Sequence, residues 1–192
     1  TPYAISYYTK KHKINFETTI DPCTKAKTLK HQIEVAGIKK AHIVDAVSVT
    51  KFLYWLENNR QGKTELDIVA KLYEFRIKGE LFVSNSFDTI SGFGSNGAIV
   101  HYHPTEKSNK EIVEGSLLLL DSGGQYFNGT TDVTRTISFG KISDEMKHDY
   151  TLVLKSHIAL ALTTFPKDTK GAGLDSIARK PLWDEGKNYG HG

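Results

Sequence analysis

Two aspartates stand eleven residues apart in the stretch 117–140, "LLLLDSGGQYFNGTTDVTRTISFG". Asp121 follows four leucines, and Asp132 lies beyond a glycine-rich reversal. Desolvating an ionised carboxylate beside buried strand costs far more than a turn residue contributes, unless a partner compensates it. A tight Asn128-Gly129 turn would set Asp121 opposite Thr136 and Asp132 opposite Gln125. By parity both aspartates then face one side of the sheet, about 13 Å apart at roughly 3.3 Å per residue. A bulge at Gly123-Gly124, or a wider loop near Tyr126-Phe127, would bring them opposite each other at about 5 Å. Two carboxylates that close repel unless cations sit between them. Oxygen donors on adjacent strands suit a divalent metal pair, which activates water at neutral pH. The alternative is that Asp121 ends a strand and Asp132 caps a turn, both solvated. The spacing permits a shared site without requiring one.

Other residues carry less chemistry on their own. Cys23 is the only cysteine, so no internal disulfide can form, which favours a reducing compartment. Its type suggests a small, semi-buried apolar residue. His103 is assigned to the exposed side of a loop ending at Pro104. Arg135 has the opposite strand parity from Asp132, which suggests a supporting or core ion pair rather than direct chemistry. The 192 residues are 39% hydrophobic and 24% charged, an ordinary globular composition, with a formal net charge of +3. The longest basic run is Lys10-Lys11-His12-Lys13, too little for a nucleic-acid footprint. The longest purely apolar runs, Phe52–Leu56 and Ile158–Leu162, are five residues each, far too short to span a membrane.

The elements that must position these residues form a mixed α/β (α+β) chain, with helices covering an antiparallel sheet. Residues 1–20 end at Asp21-Pro22, a natural boundary, and read as the tail of a preceding domain or a linker. A helical pattern runs from Thr24 to about Asn58, broken near Gly37, with Leu29, Ile33 and Ala36 on one face. Ile43, Val47, Leu53 and Leu56 extend its apolar surface. Thr64-Glu65-Leu66-Asp67 has the form of a capped helix start, and Leu66, Val69, Ala70, Tyr73 and Ile77 follow at helical spacing. Residues 80–90 read as a strand, and 112–126 with 130–139 as a hairpin. Ile142-Ser143 opens another helix, in which Met146, Tyr150, Val153, Leu154, Ile158, Ala161, Leu162 and Phe165 form an apolar stripe suited to core packing. A last helical segment, 174–185, should bend or restart at Pro181.

The hairpin "LLLLDSGGQYFNGTTDVTRT" resembles the metal-binding hairpin of Xaa-Pro aminopeptidases (aminopeptidase P), metallopeptidases of the pita-bread fold. "KKAHIVDAV", "FLYWLE", "SNGAIVHY" and "FPKDTKGAGLDSIARKPLWDEGKNYGHG" extend the similarity over about residues 24–192. It is closer to the cytosolic three-domain form than to prolidases or methionine aminopeptidases. The resemblance implies helices packed on a curved antiparallel sheet, incomplete in this chain, so that 21–192 would be the front half of the catalytic domain. It implies that Asp121 chelates one metal and Asp132 bridges two, with Mn2+ the expected ion and Zn2+ the alternative. It further implies that His101 lines the substrate pocket and that His191 contacts the reacting substrate. The substrates expected are peptides with proline in second position, in a cytoplasmic enzyme that is a homodimer at full length, with no nucleic-acid or membrane partner.

One departure accompanies the match. The family pattern continues past "HG" to another histidine and later to two glutamates, all metal ligands, which this sequence does not contain. The chain alone is therefore expected to be inactive. The rival readings are a prolidase-type Xaa-Pro dipeptidase and a non-catalytic pita-bread module that binds peptides or histones. The retained aspartates and His101 favour an enzyme.

Overall fold

In the computed structural model, which describes residues 2–191, four helices come first: α1 (Tyr3–Lys11), α2 (Pro22–Thr28), α3 (Gln32–Asn59) and α4 (Glu65–Arg76). Side chains fix where they start. Asp21 accepts a hydrogen bond from the Cys23 N–H at 3.0 Å, with Pro22 in the first turn, where its missing N–H costs nothing. His31 caps α3, and Glu34 reaches back to the His31 N–H at 2.8 Å. Thr64 and Asp67 form the same reciprocal box on α4, as the sequence predicts.

The break in the first long pattern lies at residues 29–31, not at Gly37, because the His31 cap starts a new helix there. Gly37 instead lets α3 approach the hairpin, since a Cβ at this position would sit 2.4 Å from the Asn128 carbonyl oxygen. Cys23, expected to be semi-buried, is exposed on α2.

Six strands follow: β1 (Phe82–Asn85), β2 (Ile90–Phe93), β3 (Ser116–Ser122), β4 (Gly124–Tyr126), β5 (Gly129–Thr130) and β6 (Val133–Phe139). They form two antiparallel three-stranded sheets, ordered β1-β4-β5 and β2-β3-β6. The predicted hairpin therefore exists but is divided, with its tip in one sheet and its base in the other. Tyr126 pairs with Gly129, so Phe127-Asn128 makes the turn rather than Asn128-Gly129. The whole register shifts with it, and Asp121 lies opposite Thr134, not Thr136. Helices α5 (Asp144–Ala161) and α6 (Gly171–Trp183) complete the chain. Ser143 caps α5 as expected, accepting from the Met146 N–H at 3.1 Å. Pro181 does not restart α6; it lies inside the last turn, and the helix ends two residues later.

The core lies between α3, α4 and one face of the second sheet. Val49, Phe52 and Leu56 of α3, with Ile68 and Leu72 of α4, pack on Phe93, Leu118, Leu120 and Phe139. The stripe expected on α4 is the wrong one. Tyr73 and Ile77 are exposed, while Glu65, Ile68, Leu72 and Arg76 are buried. On α3, likewise, Ile33, Ile43 and Val47 face outward and Asp45 is buried. Counting only apolar residues misplaced the α4 face and part of the α3 face, where Leu56 is buried and Leu53 packs on the core as expected, because three of the buried positions are charged.

Those charges are compensated. Arg76 is fully buried and donates to the 2% exposed Asp45 twice, from Nε to Oδ1 at 2.7 Å and from Nη2 to Oδ2 at 3.1 Å. The Tyr126 hydroxyl donates to Asp45 Oδ1 at 2.9 Å, and the Thr131 hydroxyl to Oδ2 at 2.8 Å. Burial pushes the Asp45 carboxyl up, but Arg76, Thr131 and Tyr126 together outweigh it and hold it below its ordinary value.

Removing one member of such a pair leaves the other charge buried alone. Asp45→Asn should therefore cost about 3–5 kcal/mol, read from the urea midpoint. Folding lowers the Asp45 pKa, so its contribution is complete above the unfolded value of 3.8 and is lost as pH falls through the folded one. Acid unfolding of the wild type should show this step, and Asp45→Asn should lack it.

Candidate active site

Asp121 sits on the face of β3 opposite the core, half-buried, and accepts from the Thr134 hydroxyl at 2.8 Å. The ladder between β3 and β6 ends at the pair Ser122–Val133, and Asp132 is the next residue out, exposed. By strand parity Asp132 shares the face of Asp121, a register step of two away. Diagonal neighbours of this kind stand about 7–8 Å apart. This is much closer than the separation of about 13 Å that an Asn128-Gly129 turn would give at 3.3 Å per residue.

The two aspartates flank the place where the hairpin passes from one sheet to the other. Two carbonyls lose their ladder partners there, and Ser86 takes both: its N–H donates to the Gly123 carbonyl at 3.1 Å and its hydroxyl to the Thr131 carbonyl at 2.9 Å. Gly123 is needed for this approach, since a Cβ would lie 2.1 Å from the Thr131 carbonyl oxygen and 2.2 Å from Ser86 Oγ. Thr131, buried beside Asp132, is anchored to Asp45 on α3. The backbone carrying Asp132 is thus tied from both sides.

His101 stands in the loop after the 3-10 turn Gly94–Ala98, at φ +55. Left-handed backbone is uncommon for a residue with a side chain and persists only where its surroundings enforce it. Those surroundings are organised by Glu65, at the start of α4 and fully buried. Its carboxylate accepts from the Phe93 N–H (2.6 Å), the Asn96 amide (3.0 Å), the Tyr102 hydroxyl (2.7 Å) and the Lys110 N–H (3.1 Å). These donors span both ends of the loop. Burial pushes the Tyr102 phenol up, with Ser108 opposing and Glu65 adding, so it stays a proton donor. His103 is exposed, as expected.

His191 lies after α6, exposed, and its imidazole meets that of His101. The two Nε2 atoms are 3.1 Å apart, with the rings edge to face at 4.9 Å between centroids. Residues ninety positions apart therefore share one point in space, where one imidazole donates to the other according to its tautomer. Arg135 makes no core ion pair. It is exposed and donates to its neighbour's carbonyl, Thr134 O, at 2.7 Å.

The apolar stripe of α5 is not core. Tyr150, Val153, Leu154 and Ile158 are each more than 40% exposed, whereas Leu152 and Ser156 are the buried residues of that helix. Part of the stripe walls a groove of about 1020 Å³ against β6 that includes Asp132 and Thr134. Among the described residues no group of three or more His, Cys, Asp or Glu side chains could hold a metal ion. Ser86, Glu65 and Thr131 support the site without having been singled out from sequence. Only Glu65 left a signal there, as a carboxylate in the capped start of α4.

Comparison with known proteins identifies the family and the fold. Residues 36–192 match metallopeptidase family M24. A protein of Arthroderma otae named Probable Xaa-Pro aminopeptidase P is 46% identical over 182 residues, covering 93% of this chain and 29% of that protein. Xaa-Pro aminopeptidase ApepP of Drosophila melanogaster is 42% identical, over 90% of this chain and 29% of its own length. The crystal structure of X-prolyl aminopeptidase from Caenorhabditis elegans, a cytosolic enzyme with a di-nuclear active site, superposes with a TM-score of 0.83 at 37% identity. That match covers 88% of this chain and 28% of that one. Prolidase from Pyrococcus furiosus superposes at 0.78 with 26% identity, over 97% and 53%. The chain spans under a third of the length of the curated relatives named here.

The crossing point of the hairpin can be tested by adding one methyl group. Gly123→Ala should force apart the backbone between the aspartates and destabilise the fold by about 1–3 kcal/mol. The amide resonances expected to move are those of Ser86, Thr131 and Asp132, with the α3–α4 core unchanged.

Proposed function

This chain belongs to metallopeptidase family M24, and from that premise we propose that it is the front half of the catalytic unit of an Xaa-Pro aminopeptidase. Such an enzyme removes the N-terminal residue from peptides with proline second. The observation that carries this reading is the meeting of His101 and His191 at 3.1 Å, in a fold whose hairpin holds Asp121 and Asp132 on one face.

The donor set fits hard divalent cations, since both aspartates offer oxygen from a strand face turned away from the core. Oxygen-rich ligation suits Mn2+, with Zn2+ the alternative. Two carboxylates balance half the charge of two dications, and the described residues hold no cluster of three or more such ligands. Asp121 and Asp132 are therefore contributors to a centre that other ligands must complete. When bound there, divalent ions supply Lewis acidity and activate water.

The remaining chemistry falls to this chain's own side chains. The Nε2 atoms of His101 and His191 face each other, and whichever ring carries its proton there can donate to the oxygen of the scissile carbonyl, where negative charge develops. Thr134 holds one oxygen of Asp121 and so fixes the direction of its carboxylate. A bond preceding proline is a tertiary amide with no N–H, so recognition has to come from shape and from the carbonyl. Among the described residues no helix is long and apolar enough to cross a membrane, and the reading places the protein in the cytoplasm.

The structural likeness to prolidase favours one rival, an Xaa-Pro dipeptidase. Peptide length separates them: an aminopeptidase cleaves Xaa-Pro-Xaa peptides, whereas a dipeptidase requires Xaa-Pro. In a full-length protein containing this chain, His101→Ala should lower kcat/KM on an Xaa-Pro-Xaa peptide by about 10²–10³-fold, the loss of one donor to the oxyanion. Unchanged kinetics would remove His101 from the site. The 192-residue chain alone, supplied with manganese, should release no N-terminal residue. Turnover abolished by Asp132→Ala would show that two aspartates suffice.

A further inference from the structure

The loop that carries His191 is gathered by one side chain that the reading above does not use. Arg179, on α6, donates from Nε to Asp175 Oδ2 at 2.6 Å and from Nη1 to Asn188 Oδ1 at 3.0 Å and the Tyr189 carbonyl at 3.3 Å. Its Nη2 donates to the His191 carbonyl at 2.7 Å. The guanidinium also lies over the Tyr189 ring, 5.6 Å from its centroid. Asn188 is held in turn, since its Oδ1 also accepts from the Tyr189 N–H at 2.9 Å and from the Trp183 indole at 3.2 Å.

Regular structure ends before these residues. The Lys187 N–H closes onto the Leu182 carbonyl at 2.8 Å, and 187–189 belong to no helix or strand. A guanidinium presents five N–H donors in a rigid plane, so carbonyls that meet it are fixed relative to one another. Only 12% of the Arg179 side chain is exposed, whereas its helical partner Asp175 is 51% exposed. An i,i+4 ion pair by itself contributes little to holding a helix. The contacts Arg179 makes beyond Asp175 all go to the loop.

We propose that Arg179 is a positioning residue for His191: by fixing the Tyr189 and His191 carbonyls it sets the His191 imidazole against His101. The geometric part stands independently; the effect on catalysis rests on the peptidase reading.

Two measurements test it. In the 192-residue chain, the wild type should give a nuclear Overhauser contact between the His101 and His191 rings. Arg179→Lys keeps the charge but not the fork, and Arg179→Met keeps neither; both should lose that contact while amides outside 184–191 stay in place. In a full-length protein containing this chain, Arg179→Lys should lower kcat/KM roughly 10–100-fold, the range seen when a group that orients an active-site residue is lost. Most of the fall should lie in kcat. In a His191→Ala background the same substitution should change the rate less than about 2-fold, because its effect passes through His191. A ring contact that survives Arg179→Lys, or costs that multiply in the double variant, would overturn the proposal. A wild-type protein with no Xaa-Pro cleavage would refute the peptidase reading instead, and the ring contact would still decide the role of Arg179.

Discussion

A guanidinium and a carboxylate taken out of water together hold the halves of this structure in place. Asp45 comes from α3, Arg76 from α4, and the hydroxyls that complete the carboxylate come from Tyr126 and Thr131 in the hairpin. Helix, helix and hairpin thus meet at one buried point. Hydrophobic burial is non-directional and would tolerate a slide of the hairpin along the helices. A bidentate ion pair with two hydroxyl donors does not, because a shift of one residue would leave charge and polar groups unpaired in the interior. Thr131 adjoins Asp132, so the constraint reaches the proposed metal-facing surface through one peptide unit.

The same device recurs around the site. Two of its exposed groups, His101 and Asp132, are each neighboured by a polar residue anchored deeper in the fold. Tyr102, beside His101, donates to the buried Glu65, and Thr131, beside Asp132, donates to Asp45. A loop residue has neither helix nor strand hydrogen bonds to locate it, so its neighbour's side chain must do so. Glu65 has no cation against it among the described residues; four neutral donor groups satisfy it. Losing any of them would leave a buried anion short of a partner, which links the loop conformation to the stability of the fold.

The face that bears the aspartates is less settled than the face that bears the core. Leu118, Leu120 and Phe139 are buried under α3 and α4, whereas Tyr150, Val153, Leu154 and Ile158 of α5 remain well exposed beside β6. One side of the second sheet is closed by helices, and the other forms an open groove next to Asp132. An active centre needs access for a peptide, and this is the side that offers it.

Much of this was legible from local chemistry alone. Thr64 and Ser143 marked the starts of α4 and α5, and two strand-like segments on either side of an Asn-Gly reversal pointed to a hairpin. Motif similarity singled out Asp121, Asp132, His101 and His191. What the sequence could not determine was register and burial. A two-residue choice of turn, Phe127-Asn128 rather than Asn128-Gly129, moved every cross-strand pair, and it sets Asn128 close against Gly37 on α3, a contact distant in sequence. The buried face of α4 and the first half of that of α3 were misplaced for a related reason: periodicity weighs apolar residues, and here Asp45, Glu65 and Arg76 occupy interior positions because partners distant in sequence neutralise or satisfy them. The contact between His101 and His191 belongs to the same class. Local sequence set each residue's type and its loop; only the tertiary structure placed them 3.1 Å apart, because the Glu65 network that holds the His101 loop joins residues distant in sequence.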